Sequence, residues 1–350
     1  MDLPFSPKNI IIRMPNWLGD LVMATPIIQD VKNAFPNARL TAMGLSPLCS
    51  LLQYNPHLDE LFCFHKKNGG FFRRAQEGDV IDKLAEGKYD LGILLTHSFR
   101  SAWWFFMGGV KKRVGFSTFW RRPLLTHAVS FPEKIQEQHQ ILTYKHLIAS
   151  LGIPISKTEP YIVLQKEEIE RAREILLQAG YKKGMLVVGI NAGAAYGPAK
   201  QWLPERFHEV ALRLIKKMGA CCIFFGDDLV APLVKSMCEG LPKEAINMAG
   251  KTKIRELASL IHECDLFLTN DSGPMHLASA LGVFVVALFG STSVCVTGPG
   301  KKSIVLHKSA PCSPCFLRVC NRDFRCMKEI QVDEVMGAIA EALERIPRSV

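Results

Sequence analysis

Three short segments of the sequence combine charged residues with glycines in patterns that could act on an anionic substrate. The first covers residues 13–20 and ends in Asp20, the only carboxylate between Asp2 and Asp30. A carboxylate here could act as a general base that takes a proton from an attacking hydroxyl group. The alternative is that Asp20 only stabilises the start of a helix, by ~0.3–1 kcal/mol. Gly19 would let a substrate approach the backbone closely.

The second segment covers residues 191–202 and contains small residues, two glycines and Lys200. Glycines let backbone amides face an anion, and the lysine adds a mobile positive charge. The segment is not a Walker loop, and the chain has no GxGxxG motif typical of dinucleotide-binding dehydrogenases. We therefore expect an anion-binding loop, with a flexible surface loop as the alternative.

The third segment, residues 269–276, lies where a predicted strand meets a predicted helix. Asp271 or Ser272 could cap this helix, with Gly273 in its first turn. The same geometry would expose free amides that can bind phosphate oxygens, with the Ser272 hydroxyl helping. His276 would lie one turn further on, where a structural role is the alternative to a functional one.

Further acidic and thiol groups allow weaker predictions. Asp227 and Asp228 follow a predicted strand, where they could bind ribose hydroxyls or cap the next helix. No HExxH motif and no paired carboxylates suited to Mg²⁺ are present, so we expect no metal and no cofactor. The four cysteines near the end of the chain have irregular spacing, which favours reduced thiols over a zinc site. Their distance in sequence from the three segments suggests a structural role. These cysteines are Cys312, Cys315, Cys320 and Cys326.

Composition sets the broad class of protein. The chain has 350 residues, of which 48% are hydrophobic and 22% are charged, and this favours a two-domain globular protein. No apolar run approaches the ~20 residues needed to cross a bilayer. No signal peptide is visible, so we expect a cytoplasmic protein with all eleven cysteines reduced. The net charge of +10 indicates an anionic partner. Residues 91–132 contain no Asp or Glu but six basic residues and many aromatic ones, Phe119 among them.

The predicted elements alternate between strands and helices, which indicates βαβ units and parallel sheets. Strands are predicted at residues 9–13, 39–43, 61–65, 89–96, 185–190, 220–225, 265–269 and 283–289. Helices are predicted from about residue 20 to 34 and at 166–179, 204–218, 273–281 and 332–345. The alternation restarts after residue 180. We therefore expect an α/β protein with two doubly wound domains facing a cleft, residues 1–180 and 181–350, with ligands at the carboxyl ends of the strands.

Four short motifs, in order and spacing, resemble glycosyltransferase family 9 over nearly the whole chain. They lie at residues 15–20, 197–202, 247–252 and 270–276, and residues 313–316 add to the likeness. The resemblance implies a GT-B-like fold of two Rossmann-like domains. The N-terminal domain would bind the acceptor, and the C-terminal domain would bind ADP-heptose and carry the Cys-rich tail and the last helix.

The resemblance also implies an activity. It is the inverting, metal-independent transfer of L-glycero-D-manno-heptose from ADP-heptose to the heptosyl-Kdo inner core of lipopolysaccharide. Two alternatives stay open: a family member that adds the first or a later heptose, and a non-catalytic sugar-nucleotide-binding protein of the same fold. Turnover of ADP-heptose would separate the last from the others.

Roles carry over only to matching residues. Asp20 matches the base. Lys200 matches the diphosphate-binding lysine, and Asp271, Ser272, Gly273 and His276 match the donor loop. Asp228 and Lys251 are further donor-binding candidates. The acceptor-binding candidates are Asn16, Trp17, Ser98 and Arg100, and Arg100 is one because it follows the fourth predicted strand. Ala194 and Ala195 stand where family members often have hydroxyl or acidic side chains.

The expected partners follow from the same resemblance. They are the ADP-heptose donor and a lipopolysaccharide inner-core acceptor, Kdo-lipid A carrying heptose. The basic, aromatic window at residues 91–132 fits a phosphorylated amphiphilic acceptor, so peripheral association with the cytoplasmic face of the inner membrane is a further expectation. No RNP, helix-turn-helix or KH pattern is present, so we expect no nucleic-acid partner.

Overall fold

The computed structural model describes residues 6–65, 70–118 and 120–346. Phe119, in the basic and aromatic window, lies outside the described residues. The chain divides into two compact units, Met1–Val163 and Leu164–Val350.

The first unit is built on one parallel sheet of six strands in the order β3-β2-β1-β4-β5-β6. The strands are β1 Asn9–Arg13, β2 Arg39–Leu45, β3 Glu60–Phe64, β4 Leu91–Leu94, β5 Lys112–Phe116 and β6 His127–Val129. The helices are α1 Leu18–Met23, α2 Thr25–Ala34, α3 Gly70–Glu86, α4 Phe99–Met107 and α5 Gln140–Ala149.

The second unit has a parallel six-stranded sheet in the order β12-β11-β10-β7-β8-β9. The strands are β7 Val187–Asn191, β8 Cys221–Phe225, β9 Ala245–Asn247, β10 Leu266–Asn270, β11 Phe284–Phe289 and β12 Ser303–His307. The helices are α6 Lys166–Gln178, α7 Pro204–Met218, α8 Ala231–Cys238, α9 Ile254–His262, α10 Gly273–Ala280, α11 Val294–Thr297, α12 Arg325–Lys328 and α13 Val332–Arg345.

Both sheets have the same topology, because the second order read from β9 repeats the first read from β3. This is the doubly wound arrangement that the sequence predicted. In such sheets the connections run in opposite directions from two adjacent central strands, here β1 and β4 in the first unit and β7 and β10 in the second. The loops after these four strands are therefore where each unit should bind its ligand.

The sequence explains why the central elements form. The strands β8, β10 and β11 are buried along their whole length, as expected for parallel strands covered by helices on both faces. Helix α7 begins with Pro204 and ends at Gly219, which has a left-handed backbone with φ of 63°. Its apolar residues recur every three or four positions and pack into the core of the second unit.

The compact units divide before α6, whereas the sequence analysis placed the boundary after it, at residue 180. Helix α6 packs against α9 of the second unit. Arg255 pairs with Glu168, with Nε 2.6 Å from Oε1, and Arg173 Nε lies 2.6 Å from Glu263 Oε2. These ion pairs join α6 to the second unit.

Three local predictions differ from the structure. The strands β5, β6, β9 and β12 were not predicted. Strands β6 and β9 have only three residues each, and β5 begins with two basic residues. The first predicted helix is two helices, divided at Ala24, which ends α1 and precedes α2. The expectation that all cysteines are thiols is wrong for Cys49 and Cys63, which form a disulfide with a Cα–Cα distance of 5.7 Å.

Within the described ranges, no helix combines the length and the apolar character needed to cross a bilayer.

Candidate active site

The loop after β1 is held in place by the buried guanidinium of Arg13. Its Nη1 donates to the carbonyl oxygen of Met14, and its Nη2 donates to Asn16 Oδ1 at 2.7 Å. Burial lowers the pKa of Arg13 to about 9, so the side chain stays charged at neutral pH. Asn16 is thereby oriented by Arg13, while the neighbouring Trp17 is 54% exposed.

Asp20 lies in the first turn of α1 and is half-buried. The hydroxyl group of Tyr144, on α5, donates to Asp20 Oδ1 at 3.2 Å. Burial, and next the Asp20 carboxylate, raise the pKa of Tyr144 well above its usual value, so the hydroxyl stays protonated at neutral pH and can donate. Asp20 is therefore a partly accessible carboxylate in a fixed orientation, as a general base requires.

Ser98 and Arg100 follow β4, which pairs with β1, so they lie at the same sheet edge as the Asp20 loop. Ser98 is the N-cap of α4, and its Oγ accepts from the amide of Ser101 at 3.2 Å. Arg100 Nε lies 3.2 Å from Glu77 Oε1. Both predicted acceptor-binding residues thus make contacts inside the first unit: Ser98 caps a helix, and Arg100 is a partly exposed cation with a carboxylate partner.

Arg121 is a fully buried cation close to this edge. Its Nη1 donates to the carbonyl oxygen of Thr96, while Nε and Nη2 have no hydrogen-bond partner in the described part of the chain. Burial lowers the pKa of Arg121 to about 10, so it is charged at neutral pH. Gly115 makes room for it, since a Cβ there would lie 2.6 Å from Arg121 Nη2. A buried cation with unpaired donors favours an anion nearby.

In the second unit the structure brings Lys200 and Asp271 together. Lys200 Nζ lies 2.6 Å from Asp271 Oδ2, and the two side chains are only 11% and 3% exposed. The same carboxylate oxygen accepts hydrogen bonds from Thr292 at 2.5 Å and Thr297 at 3.3 Å. Asp271 therefore holds the lysine in one position. An ammonium group has three donors, so others remain for an anionic ligand.

Asn191 connects the end of β7 to the start of α10. Its Nδ2 donates to Ser272 Oγ at 3.0 Å, to Thr269 Oγ1 at 3.2 Å and to the carbonyl oxygen of Gly193 at 3.0 Å. Ser272 occupies the N-cap position of α10, but its side chain does not cap the helix. The predicted side-chain cap is therefore not formed. Gly273 opens the helix, and His276 is buried within it.

Asp228 and Lys251 follow β8 and β9, at the same edge of this sheet. Asp227 Oδ1 accepts from the amide of Val230 at 3.1 Å, in the turn before α8, and α8 itself has no side-chain cap. Asp228 is exposed beside Gly250, and Lys251 Nζ donates to the carbonyl oxygen of Asn247 at 2.7 Å. Their described contacts are with these loops rather than with the Lys200–Asp271 pair.

The Cys-rich tail contacts the loops after β7 and β11 directly, although it is distant in sequence from the segment that carries Lys200. The amides of Cys315 and Phe316 donate to the carbonyl oxygen of Ser291, at 3.1 and 2.7 Å. The carbonyl oxygen of Arg318 accepts from the amide of Ala199 at 3.0 Å, and Tyr196 Oη donates to the carbonyl oxygen of Phe316 at 2.6 Å. The tail therefore supports the loop that carries Lys200. Among the described residues, no three His, Cys, Asp or Glu side chains are arranged to hold a metal ion.

Sequence reasoning missed Tyr144, Thr292 and Arg121 as site residues. Thr292 follows β11, so the rule that ligands bind beyond strand ends could have found it. Arg121 was noticed only as part of a basic window. Tyr144 is 124 residues from Asp20 in the sequence, and no local pattern indicated their contact.

Comparisons with known proteins agree with this geometry. A family model described as glycosyltransferase family 9 (heptosyltransferase) matches residues 78–324. The lipooligosaccharide heptosyltransferase 2 of Haemophilus ducreyi is 30% identical over 308 residues, or 85% of this chain and 88% of that protein. The crystal structure of a family 9 glycosyltransferase from Veillonella parvula has a TM-score of 0.86 at 27% identity, covering 99% of both chains. Escherichia coli ADP-heptose LPS heptosyltransferase II has a TM-score of 0.82 at 22% identity, covering 96% of this chain and 99% of that one. These likenesses confirm the predicted GT-B-like α/β fold.

Proposed function

Because the chain belongs to glycosyltransferase family 9, we propose that it transfers L-glycero-D-manno-heptose from ADP-heptose to the heptosyl-Kdo inner core of lipopolysaccharide. The names of its relatives support this choice. They include a lipooligosaccharide heptosyltransferase 2 and an ADP-heptose LPS heptosyltransferase II. The single observation that carries the donor assignment is the Lys200–Asp271 pair beside the start of α10.

In this proposal the second unit binds the donor diphosphate. Lys200 donates to a phosphate oxygen while Asp271 keeps the ammonium group in place, and the amides at the start of α10 bind further oxygens. Negative charge builds on the leaving ADP as the bond to the sugar breaks. Preset donors stabilise this charge without reorganising, which is how the chain would work without a metal ion. Asp228 and Lys251 would contact the nucleoside end, with Asp228 accepting from ribose hydroxyls.

The first unit would supply the base and bind the acceptor. Asp20 removes the proton from the acceptor hydroxyl as it attacks the anomeric carbon from the face opposite ADP, which inverts that centre. Asn16, Trp17, Ser98 and Arg100 would contact the acceptor at the same sheet edge. Arg121 would add a positive potential that favours its phosphate and carboxylate groups. Such an acceptor is a lipid, so catalysis would take place at the cytoplasmic face of the inner membrane.

Mass spectrometry of the product tests this proposal. Wild-type protein, given ADP-heptose and a core acceptor that already carries one heptose, should add a single heptose. Asp20→Asn should bind ADP-heptose normally and lose about 10²–10⁴ in kcat, because the amide keeps the shape but cannot accept the proton. Asp79→Asn, which changes an exposed carboxylate on α3, is the matched control and should keep wild-type kcat.

Two outcomes would contradict parts of the proposal. A kcat of Asp20→Asn within threefold of wild type would leave Asp20 as a residue that only stabilises the start of α1. Transfer to an acceptor lacking the first heptose, in preference to the heptosylated one, would assign the chain to another position in the core.

A further inference from the structure

The Cys-rich tail carries an exposed arginine, Arg318, beside the loop that contains Lys200. The carbonyl oxygen of Arg318 accepts from the amide of Ala199 at 3.0 Å. The two backbones are so close that a Cβ at Gly197 would lie 3.0 Å from Arg318 Cα. These contacts use only backbone atoms of Arg318. They fix the position of this residue next to the loop and leave its guanidinium available for another contact.

The side chains of Arg318 and Lys200 lie against the same aromatic ring. The Arg318 guanidinium is 5.2 Å from the ring centre of Tyr196, and Lys200 Nζ is 4.8 Å from that centre. The two positive charges are therefore no more than about 10 Å apart. Tyr196 is itself held by the tail, since its Oη donates to the carbonyl oxygen of Phe316 at 2.6 Å. Two cations held this close to each other favour an anion that both can contact.

The two cations differ in their counter-charges. Lys200 Nζ lies 2.6 Å from Asp271 Oδ2, so this pair is formally neutral. No carboxylate in the described part of the chain pairs with the Arg318 guanidinium. Arg318 is therefore the uncompensated positive charge next to Lys200.

The sequence around Arg318 explains why its charge is uncompensated. Residues 272–322 contain no Asp or Glu. The first acids beyond this range are Asp323 and Glu329, and both pair with Arg325, whose Nε lies 3.2 and 3.7 Å from their carboxylates. The tail thus neutralises Arg325 and leaves the charge of Arg318 free to act on a ligand.

We infer that the Arg318 guanidinium binds the diphosphate of the donor alongside Lys200. The inference rests on the proposed function and extends it, because it adds a residue of the tail to the diphosphate site. A nucleotide sugar is negatively charged on both phosphate groups, and further charge builds on the diphosphate as it leaves. Because Asp271 offsets the charge of Lys200, a second cation is needed to balance this charge. The planar guanidinium can donate to two phosphate oxygens at once.

Calorimetric titration of the full chain with ADP tests the inference. Arg318→Met keeps the aliphatic part of the side chain and removes the charge, so ADP affinity should fall about tenfold. Arg318→Lys keeps the charge and should recover most of this affinity. The loss in Arg318→Met should shrink as KCl is raised, because salt screens exposed charges. Thermal unfolding should be unchanged, since the backbone contact with Ala199 remains.

A double variant separates direct contact from an effect through Lys200, because Arg318 could instead only hold Tyr196 in place. If Arg318 contacts phosphate itself, Arg318→Met should weaken ADP binding about tenfold in a Lys200→Met background as well. Arg322→Met is the matched control, since Arg322 is an exposed arginine of the same tail. It should keep wild-type ADP affinity.

Three results would each overturn the inference: unchanged ADP affinity in Arg318→Met, an equal loss in Arg322→Met, or no further loss in the Lys200→Met background. Heptose transfer by wild-type protein, followed by mass spectrometry, reports on the proposed function separately. Transfer by a protein whose ADP affinity does not depend on Arg318 would remove only the inference. ADP binding that depends on Arg318, in a protein that transfers no heptose, would contradict the proposed function and support the inference.

Discussion

Asp20 and Lys200 show how far residue identity alone can reach. Each follows a predicted strand and stands where a parallel sheet binds its ligands, so both could be predicted from the sequence as site residues. The side chains that contact them could not be predicted. Asp271 fixes Lys200 only because Thr292 and Thr297, from another part of the chain, donate to the same carboxylate oxygen. Tyr144 meets Asp20 only because α5 packs beside α1.

The Tyr144 contact gives a prediction about pH dependence. The pKa of Tyr144 is raised well above its usual value, so its hydroxyl is protonated at neutral pH and donates to the Asp20 carboxylate. Such a hydrogen bond favours the charged form of Asp20. Tyr144→Phe removes it. We expect the acidic limb of the kcat/KM profile to move to higher pH, and kcat at neutral pH to fall about fivefold, as for an interaction of about 1 kcal/mol.

Tyr161→Phe provides the control for the loss of a tyrosine hydroxyl. Tyr161 lies in the same unit and donates to Asn55 Oδ1 at 3.0 Å. This change should alter stability without moving the pH profile. If Tyr144→Phe lowered kcat but left the acidic limb in place, Tyr144 would not act through the charge of Asp20.

At the scale of elements, the tail and the loop that carries Lys200 form one structure. Gly197 lies in that loop with φ of 154°, and a Cβ there would be 2.3 Å from the carbonyl oxygen of Arg318. Cation–π contacts join the same parts, since Lys200 Nζ and the Arg318 guanidinium lie 4.8 and 5.2 Å from the ring centre of Tyr196. A change in the tail contact should therefore displace Lys200.

Gly197→Ala tests this coupling. The new methyl group meets backbone, which cannot move aside as a flexible side chain could, and φ of 154° is unfavourable for alanine. We expect a lower Tm and, after correction for unfolded protein, ADP affinity weakened about tenfold as Lys200 is displaced. Calorimetric titration with ADP measures the affinity.

Gly337→Ala is the comparison variant. Gly337 lies in α13, where a Cβ would meet no atom within 4 Å, so alanine should raise stability by roughly 0.5–1 kcal/mol and leave ADP binding unchanged. Wild-type ADP affinity in folded Gly197→Ala would show that the tail supports the loop without positioning Lys200.

The bounds of helices were predicted correctly where the local sequence pattern agrees with the burial of the side chains. Helices α7 and α13 have the predicted bounds, because each combines apolar periodicity with clear end signals: Pro204 and Gly219 for α7, and Asp and Glu in the first turn of α13. The strand β5 starts with two basic residues, the exposed Lys112 and the half-buried Arg113, and β6 has only three residues. Their strand character comes from pairing with neighbours in the sheet, a tertiary effect that a short window of sequence does not contain.

At the scale of the whole molecule, the two units repeat one topology. Each unit places its candidate site loops beyond two adjacent strands, β1 and β4 or β7 and β10. The restart of the strand and helix alternation predicted two such units from sequence. It placed α6 in the first domain, because this helix comes before the restart. The contacts of α6 with α9, which group it with the second unit, could not be read from the sequence.

The boundary leads to a prediction about truncated chains. Residues 164–350 retain α6, whereas residues 181–350 lose it and leave Arg255 and Glu263 without the partners Glu168 and Arg173. The Arg255 contact lowers the pKa of Glu168, so the pair favours the folded state at neutral pH and this contribution disappears as the pH falls through that pKa. Removal of α6 also uncovers the apolar surface against which Ala172 and Leu176 are buried.

We therefore expect the longer fragment to fold and bind ADP. The shorter one should unfold about 5–10 °C lower at neutral pH, as followed by circular dichroism. Equal melting temperatures would instead favour a boundary at residue 180, with α6 belonging to the acceptor-binding domain.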